Sequence, residues 1–244
     1  MQIKPFKTHL ITQGECFQSI LDTYVPKMSE GSILAVTSKV ISLCEGRVIP
    51  KGDNTSKFDL IKQECDAHLN SIHDIVLTIT HGILIPSAGI DESNVNDAYI
   101  LYPKDIQGSA KLIWHHICER DDIRNFGVVI TDSHTTPLRR GVTGICLGWC
   151  GFKPLYSYVG KPDIYGIPLQ VTQTNILDAL ASAAVFVVGE GNEQTPLALI
   201  TEAPKIEFLD RSPSEEELNS VKIPASEDLY GPLIQAAKWK QKDQ

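Results

Sequence analysis

Short apolar runs that stop abruptly at polar residues recur along most of the chain. Ile33-Leu34-Ala35-Val36-Thr37 stops at Ser38 and Lys39, where the chain is expected to turn, and Phe126-Gly127-Val128-Val129-Ile130 stops at Thr131-Asp132-Ser133. Runs this short and continuous predict strands buried on both faces. Residues 75–80 and 82–85 predict a hairpin closed by a tight turn at His81-Gly82, which delivers Asp91 to its open end. Residues 168–173 predict one more strand.

Helical spacing fills the gaps between these runs. Thr12-Gln13-Gly14-Glu15 has capping-box spacing ahead of Phe17, Ile20, Leu21 and Tyr24, so a first helix is expected up to Val25, before Pro26. Thr55 or Ser56 is expected to cap a second helix carrying Leu60, Ile61, Cys65 and Leu69 inward. Residues 110–119 predict a third, which includes His115 and His116. Asn175 is expected to cap a fourth, through Leu177, Leu180, Ala181, Ala184 and Val188 to a stop at Gly189. After residue 203 the character changes: Ser214 precedes Glu215-Glu216-Glu217, a capped acidic helix start, and residues 232–239 predict a last helix. The expected fold is α+β, mixed sheets with flanking helices in two interleaved portions. Residues 1–203 are expected to form the catalytic domain and residues 204–244 a C-terminal helical extension.

Composition narrows the class without naming it. The chain has 244 residues, 42% hydrophobic and 21% charged, which fits a packed globular protein. No apolar run approaches the roughly 20 residues needed to span a bilayer, and the first residues lack a signal-peptide pattern. A cytoplasmic protein without membrane contact is expected. A net charge of −8 argues against general nucleic-acid binding, which rests on neutralising phosphates. Six cysteines without close pairing fit buried thiols better than a disulfide framework, although Cys146 and Cys150 are near enough in sequence to be checked for contact.

Candidate chemistry lies where the apolar runs stop. Asp91 and Asp132, if brought together, repel unless a proton or cation sits between them. With Ser133 they offer the incomplete oxygen shell that Mg²⁺ or Mn²⁺ takes up beside substrate phosphates. Arg139 and Arg140 supply planar forks of donors for phosphate or carboxylate. His134, next to Ser133, is a base or a turn residue. Gly141, Gly144, Gly148 and Gly151 punctuate an apolar segment in neither P-loop nor dinucleotide spacing, which favours close backbone packing.

An ordered series of segments resembles the coenzyme F420-0:gamma-glutamyl ligase family. These are residues 36–42 with 45–47, Ser87-Ala88-Gly89-Ile90-Asp91-Glu92-Ser93-Asn94, Val128-Val129-Ile130-Thr131-Asp132-Ser133, Arg139-Arg140-Gly141-Val142-Thr143-Gly144, residues 160–166, and Gly189-Glu190-Gly191. They span most of residues 1–203, and residues 83–91 are most similar to the folate-metabolism gamma-glutamate ligase branch. The resemblance implies metal binding by Asp91, Asp132, Ser133 and Glu190. It implies nucleotide contacts by Thr8, His9, Leu10, Ile11, Ser38, Lys39 and Asn94. It also implies GTP or ATP as co-substrate, L-glutamate and an F420-0 or folate carboxylate as the joined groups, and an intertwined homodimer. Asp91, Asp132, Arg139 and Arg140 are then the expected catalytic residues, the arginines by inference from their chemistry. Leu43 stands where the family pattern commonly has a nucleotide-contacting lysine. A metal-dependent phosphotransferase and a non-catalytic nucleotide-binding protein are the alternatives.

Overall fold

The computed structural model describes residues 1–52, 56–71 and 75–242. The first part of the chain forms β1 (Gln2–Phe6), α1 (Phe17–Tyr24), β2 (Ser32–Thr37), α2 (Ser38–Cys44) and β3 (Val48–Pro50). There follow α3 (Lys57–Glu64), β4 (Ala67–His68), β5 (Leu77–Thr80), β6 (Ile83–Pro86), β7 (Ala98–Ile100) and α4 (Ile106–Asp121). The rest comprises β8 (Phe126–Thr135), β9 (Val142–Cys150), β10 (Leu155–Ser157), β11 (Gln173–Asn175), α5 (Ile176–Val188), β12 (Leu197–Thr201), α6 (Glu215–Ser220), α7 (Gly231–Ala236) and β13 (Lys240–Gln241). The fold is α+β, as expected.

The main sheet has the order β1-β12-β2-β8-β9, with β2 and β8 parallel and the other pairs antiparallel. Its centre is the continuous apolar sequence of β2 and β8, and alternate residues feed two cores. Leu34, Val36, Val128 and Ile130 face α1 and α4, together with Ile20, Leu21, Ile113 and Ile117. Ile33, Ala35 and Val129 face α5, with Leu177, Leu180, Ala181 and Ala184. Burying both faces is what tolerates so little polarity in these strands. Gly144 of β9 faces α5 so closely that a Cβ there would stand 2.3 Å from the Ala181 carbonyl oxygen, so tight packing is its role. β9 is the outer strand, and two helix side chains occupy its edge. Gln107 Nε2 donates to the Trp149 carbonyl at 2.6 Å, and the Cys146 amide donates to Asp178 Oδ1 at 2.9 Å.

Residues between α2 and α4, joined by β13 from the C-terminal part of the chain, form smaller sheets, β13-β4-β5-β6 and β3-β7, over a separate cluster of Ile61, Cys65, Val76, Ala88, Ile90 and Leu101. The hairpin turn at His81-Gly82 has positive φ at both positions, 55° and 77°, as a two-residue hairpin turn requires. Asn175 caps α5 through the Asp178 amide, and Ser214 and Glu217 form a capping box on α6.

Five expectations are corrected. Residues 168–173 are not a strand: with Pro168 lacking an N–H and the chain folding back through the Gly160 to Leu169 and Leu169 to Lys161 bonds, only Gln173–Asn175 joins a sheet. α2 stands where a turn is expected after β2, because Val40 and Ile41 turn inward on a helical face. α3 ends at Glu64, and Leu69 instead bonds to Leu77 beside β5. Glu15 accepts from the Thr12 amide at 2.5 Å in a turn ahead of α1, whose N-cap is Cys16. α4 runs from Ile106, four residues earlier than expected, because Asp105 caps it through the Gly108 amide. Ser56 caps α3; Thr55, the other candidate, lies outside the described residues. Cys146 and Cys150, like the other four cysteines, are free thiols.

Candidate functional site

Strand ends and the loops after them enclose a cavity of about 560 Å³, within the ~300–1,000 Å³ range of small-molecule sites. β2 runs into Thr37, Ser38 and Lys39 on one side, and the parallel β8 runs into Thr131, Asp132 and Ser133 beside it. Parallel neighbouring strands that end together leave such a crevice. Thr8, His9, Leu10 and Ile11 line it after β1, Asp91 and Asn94 after the hairpin, and Glu190 after α5. Every sequence-nominated site residue except His134, Arg139 and Arg140 therefore lines one cavity. The two arginines are exposed in the β8–β9 connection and are not among its lining residues.

The turn that carries Asp91 is strained. Ser87, Ala88 and Gly89 have φ of 51°, 55° and 71°, and the two residues with Cβ atoms cost on the order of 1–2 kcal/mol each there. The Ala88 amide bond to Thr78 Oγ1 (3.0 Å) and the Ser87 amide bond to the Val76 carbonyl (2.6 Å) hold the turn in place. Asp91 then accepts from the amides of Glu92 (2.6 Å) and Ser93 (2.8 Å) and from Ser93 Oγ (2.8 Å), and stands 2.5 Å from Lys39 Nζ. Burial pushes its carboxyl up, but Lys39 and the Ser93 donors outweigh it and hold Asp91 below the ordinary carboxylate range.

Asp132 is in the opposite condition. Burial pushes its carboxyl up to about 6, the Asp91 charge adds to the rise, and the Tyr102 hydroxyl and the Ser133 amide oppose it. Tyr102 Oη donates to Asp132 Oδ2 at 2.5 Å. Glu190 is likewise raised, by partial withdrawal from solvent with the Asp91 and Glu193 charges adding, against the Ser133 hydroxyl beside it. His134 follows Ser133 on β8 but does not line the cavity, and burial pushes its imidazole down.

Four carboxylates, of Asp91, Asp132, Glu190 and Glu193, line the cavity, and Lys39 is the one lysine or arginine among the described lining residues. That balance repels a polyphosphate and attracts a cation. Carboxylate and hydroxyl oxygens are the donors a hard divalent ion takes. Among the described residues, however, no three His, Cys, Asp or Glu side chains are already drawn around one point. The donor chemistry thus fits Mg²⁺ or Mn²⁺ as a shell that substrate oxygens must complete.

Sequence reasoning missed part of the wall. Gln194 accepts from the Thr8 amide at 2.9 Å and the Gly191 carbonyl accepts from Asn94 Nδ2 at 3.1 Å, so residues 191–196 pin the amino-terminal and Asn94 segments together. Glu193 accepts from the Gly191 amide at 2.8 Å, and a Cβ on Gly189 would stand 2.5 Å from the Glu193 carboxyl carbon. The glycines around Glu190 are the signal that pointed there. Leu43 lines the cavity as an apolar residue. A second cavity, about 660 Å³ between the hairpin, β9 and the tail, is lined by none of the nominated residues.

Sheet and cavity define an α+β protein with an acidic ligand site at the ends of parallel strands. Comparison with known proteins narrows this. The family model described as F420-0:Gamma-glutamyl ligase matches residues 5–202. A coenzyme F420:L-glutamate ligase of Methanothermobacter thermautotrophicus is 31% identical over 193 residues, 72% of this chain and 76% of the relative. One from Methanococcus maripaludis strain C7 is 32% identical over 186 residues (76% and 75%), and one from Archaeoglobus fulgidus 29% over 208 (78% and 83%). The chain belongs to the F420-0:gamma-glutamyl ligase family and is a ligase that forms carbon–nitrogen bonds. No helix among the described residues is long and apolar enough to cross a membrane.

Proposed function

We propose that this chain joins L-glutamate to the carboxylate of coenzyme F420-0, driven by GTP or ATP and a divalent cation. The observation that carries the reading is the single cavity in which Asp91, Asp132, Ser133, Glu190 and Lys39 meet the Thr8–His9–Leu10–Ile11 segment. The names of the relatives favour the deazaflavin acceptor over a folate.

Carboxylate and amine do not condense unaided in water. An acceptor carboxylate oxygen attacks the γ-phosphorus, the bond from that phosphorus to the β–γ bridging oxygen breaks, and the electron pair leaves with the nucleoside diphosphate. The glutamate amine, having lost its proton, then attacks the acyl carbon, and inorganic phosphate departs. Such a reaction asks the protein mainly to position groups and spread charge. Lys39 moves its charge from Asp91 to phosphate, and Asn94 with the Thr8–Ile11 segment orients the nucleotide. Asp91, Asp132, Ser133 and Glu190 hold Mg²⁺ or Mn²⁺, which when bound supplies charge neutralisation at the phosphates. Arg139 and Arg140 meet an incoming carboxylate only if their connection folds over the cavity.

The assembly proposed is a homodimer. Residues 158–172 expose Ile164 (91%), Tyr165 (83%) and Val171 (85%), apolar surface of the kind a second copy would cover. Six free thiols suit a reducing cytoplasm.

Incubation of the protein with Mg²⁺ or Mn²⁺, GTP or ATP, glutamate and either F420-0 or a folate tests the reading by mass spectrometry. The expected product is F420-0 heavier by one glutamyl residue. Nucleotide consumption without glutamate would make the protein a phosphotransferase, and binding without turnover a nucleotide-binding protein with Leu43 as the first suspect. Addition to folate alone would overturn the deazaflavin assignment.

A further inference from the structure

The end of β7 and the residues just after it connect the two aspartates. Ile100 pairs with Asp91, the amide of each donating to the carbonyl of the other at 2.8 and 3.0 Å. Two residues on, the buried ring of Tyr102 lies over Gly89, so close that a Cβ there would stand 2.0 Å from the ring carbon bearing the hydroxyl. The same hydroxyl reaches Asp132 Oδ2. One side chain thus touches the turn that presents Asp91 and the strand end that presents Asp132.

A carboxylate turns freely about its last torsion, whose energy wells are broad. A ligand plate is fixed only by donors behind it, and a hydroxyl donating to an ionised oxygen is among the strongest of these. A carboxylate oxygen can only accept, so at 2.5 Å the Tyr102 hydroxyl is the donor of the pair. A purely structural tyrosine needs only a satisfied hydroxyl, which any carbonyl provides. Here the partner is a functional carboxylate, and the ring is packed against the turn of the other.

We propose that Tyr102 is a positioning residue, a strut that fixes the orientation of the Asp132 carboxylate and its spacing from Asp91 for cation and phosphate. The inference rests on Asp132 acting as proposed above. Tyr102→Phe keeps the ring over Gly89 and removes only the hydroxyl. Its kcat is expected to fall ~10–100-fold and its Mn²⁺ dissociation constant, read by electron paramagnetic resonance with a non-hydrolysable nucleotide analogue bound, to rise ~10-fold or more, the range typical of lost outer-shell partners. KM for the nucleotide is expected to stay within about twofold, since the base and ribose contacts lie elsewhere. A variant with kcat and Mn²⁺ affinity both unchanged overturns the strut.

Asp132→Asn separates the two readings. If that variant remains fully active, the role of Asp132 fails; if it is inactive while Tyr102→Phe is unaffected, only the strut fails. Should Tyr102→Phe not fold, 4-aminophenylalanine placed at 102 keeps the ring and leaves a weaker donor; kcat and Mn²⁺ affinity are both expected to fall between the wild-type and Asp132→Asn values, and wild-type values for both overturn the proposal.

Discussion

The turn carrying Asp91 and the strand end carrying Asp132 face one cavity but hold their carboxylates by opposite means. Asp91 is surrounded by donors that its own neighbours supply, the amides of Glu92 and Ser93 and the Ser93 hydroxyl, with Lys39 alongside. It is therefore comfortable as an anion before any ligand arrives. Asp132 is withdrawn from solvent, and its one side-chain hydrogen-bond partner among the described residues, Tyr102, lies thirty residues away in sequence. The difference teaches which of the two is costly to keep charged. One site component is prepared by local sequence, and the other is stressed until a cation or proton relieves it.

The largest expected effect breaks the comparison at both ends. Asp91→Asn and Asp132→Asn should each lower kcat ~10²-fold or more, because each removes charge at the phosphates. In chelator-treated protein their stabilities should diverge. Asp132→Asn should raise the unfolding free energy by about 1–3 kcal/mol, relieving a buried charge. Asp91→Asn should lower it by about 1 kcal/mol through weakened hydrogen bonds. Denaturant titration reads both, and equal signs would remove the asymmetry.

Next in size is the backbone of the Asp91 turn. Gly89→Ala puts a methyl into the Tyr102 ring at a φ of +71° and should destabilise by about 1–3 kcal/mol. Lys39→Met should raise KM for the nucleotide ~10-fold, at the low end of a lost charge-assisted contact of ~1.5–3 kcal/mol.

The smallest effect sharpens the comparison through pH. The folded Asp132 carboxyl titrates at about 6, above its ordinary 3.8, so between those values the unfolded chain releases its proton first. In metal-free protein the contribution of Asp132 to stability is thus lost as pH rises from about 4 to about 6 and stays low above. Asp91 has the opposite sign, its contribution being lost as pH falls through its depressed folded value. Subtracting the pH–stability curve of Asp132→Asn from that of wild type should isolate the downward slope; a flat difference would contradict the buried charge.

Asp91, Asp132 and Ser133 were nominated because they stand where apolar runs end, and such ends converge when two of the strands are parallel neighbours; Thr8 to Ile11, Ser38, Lys39, Asn94 and Glu190 came from the family resemblance, and the cavity gathers them with the others. Tyr102 was not readable in the same way. Nothing near it in sequence marks it, and its importance comes from Gly89 and Asp132, which only folding brings to it. Residues 191–196 escaped for the same reason, since they contribute mainly backbone groups. Among the elements, buried strands and capped helices were legible from continuity and from Asn175 or Ser214. The first turn after β2 misled because Val40 and Ile41 suit strand and helix equally, and only the core decides. Residues 168–173 misled because the segment pairs only irregularly with residues 158–162, prolines 162 and 168 interrupting the ladder, and regular pairing begins at Gln173.

One feature of the main sheet reaches beyond the reaction. Gln107 from α4 and Asp178 from α5 approach β9 from the two opposite faces and engage its outward amide and carbonyl groups. An outermost strand treated in this way makes a poor template for a neighbouring chain. The same two helices that bury the sheet's faces thus also occupy part of its β9 margin, leaving β1 as the edge open to strand addition.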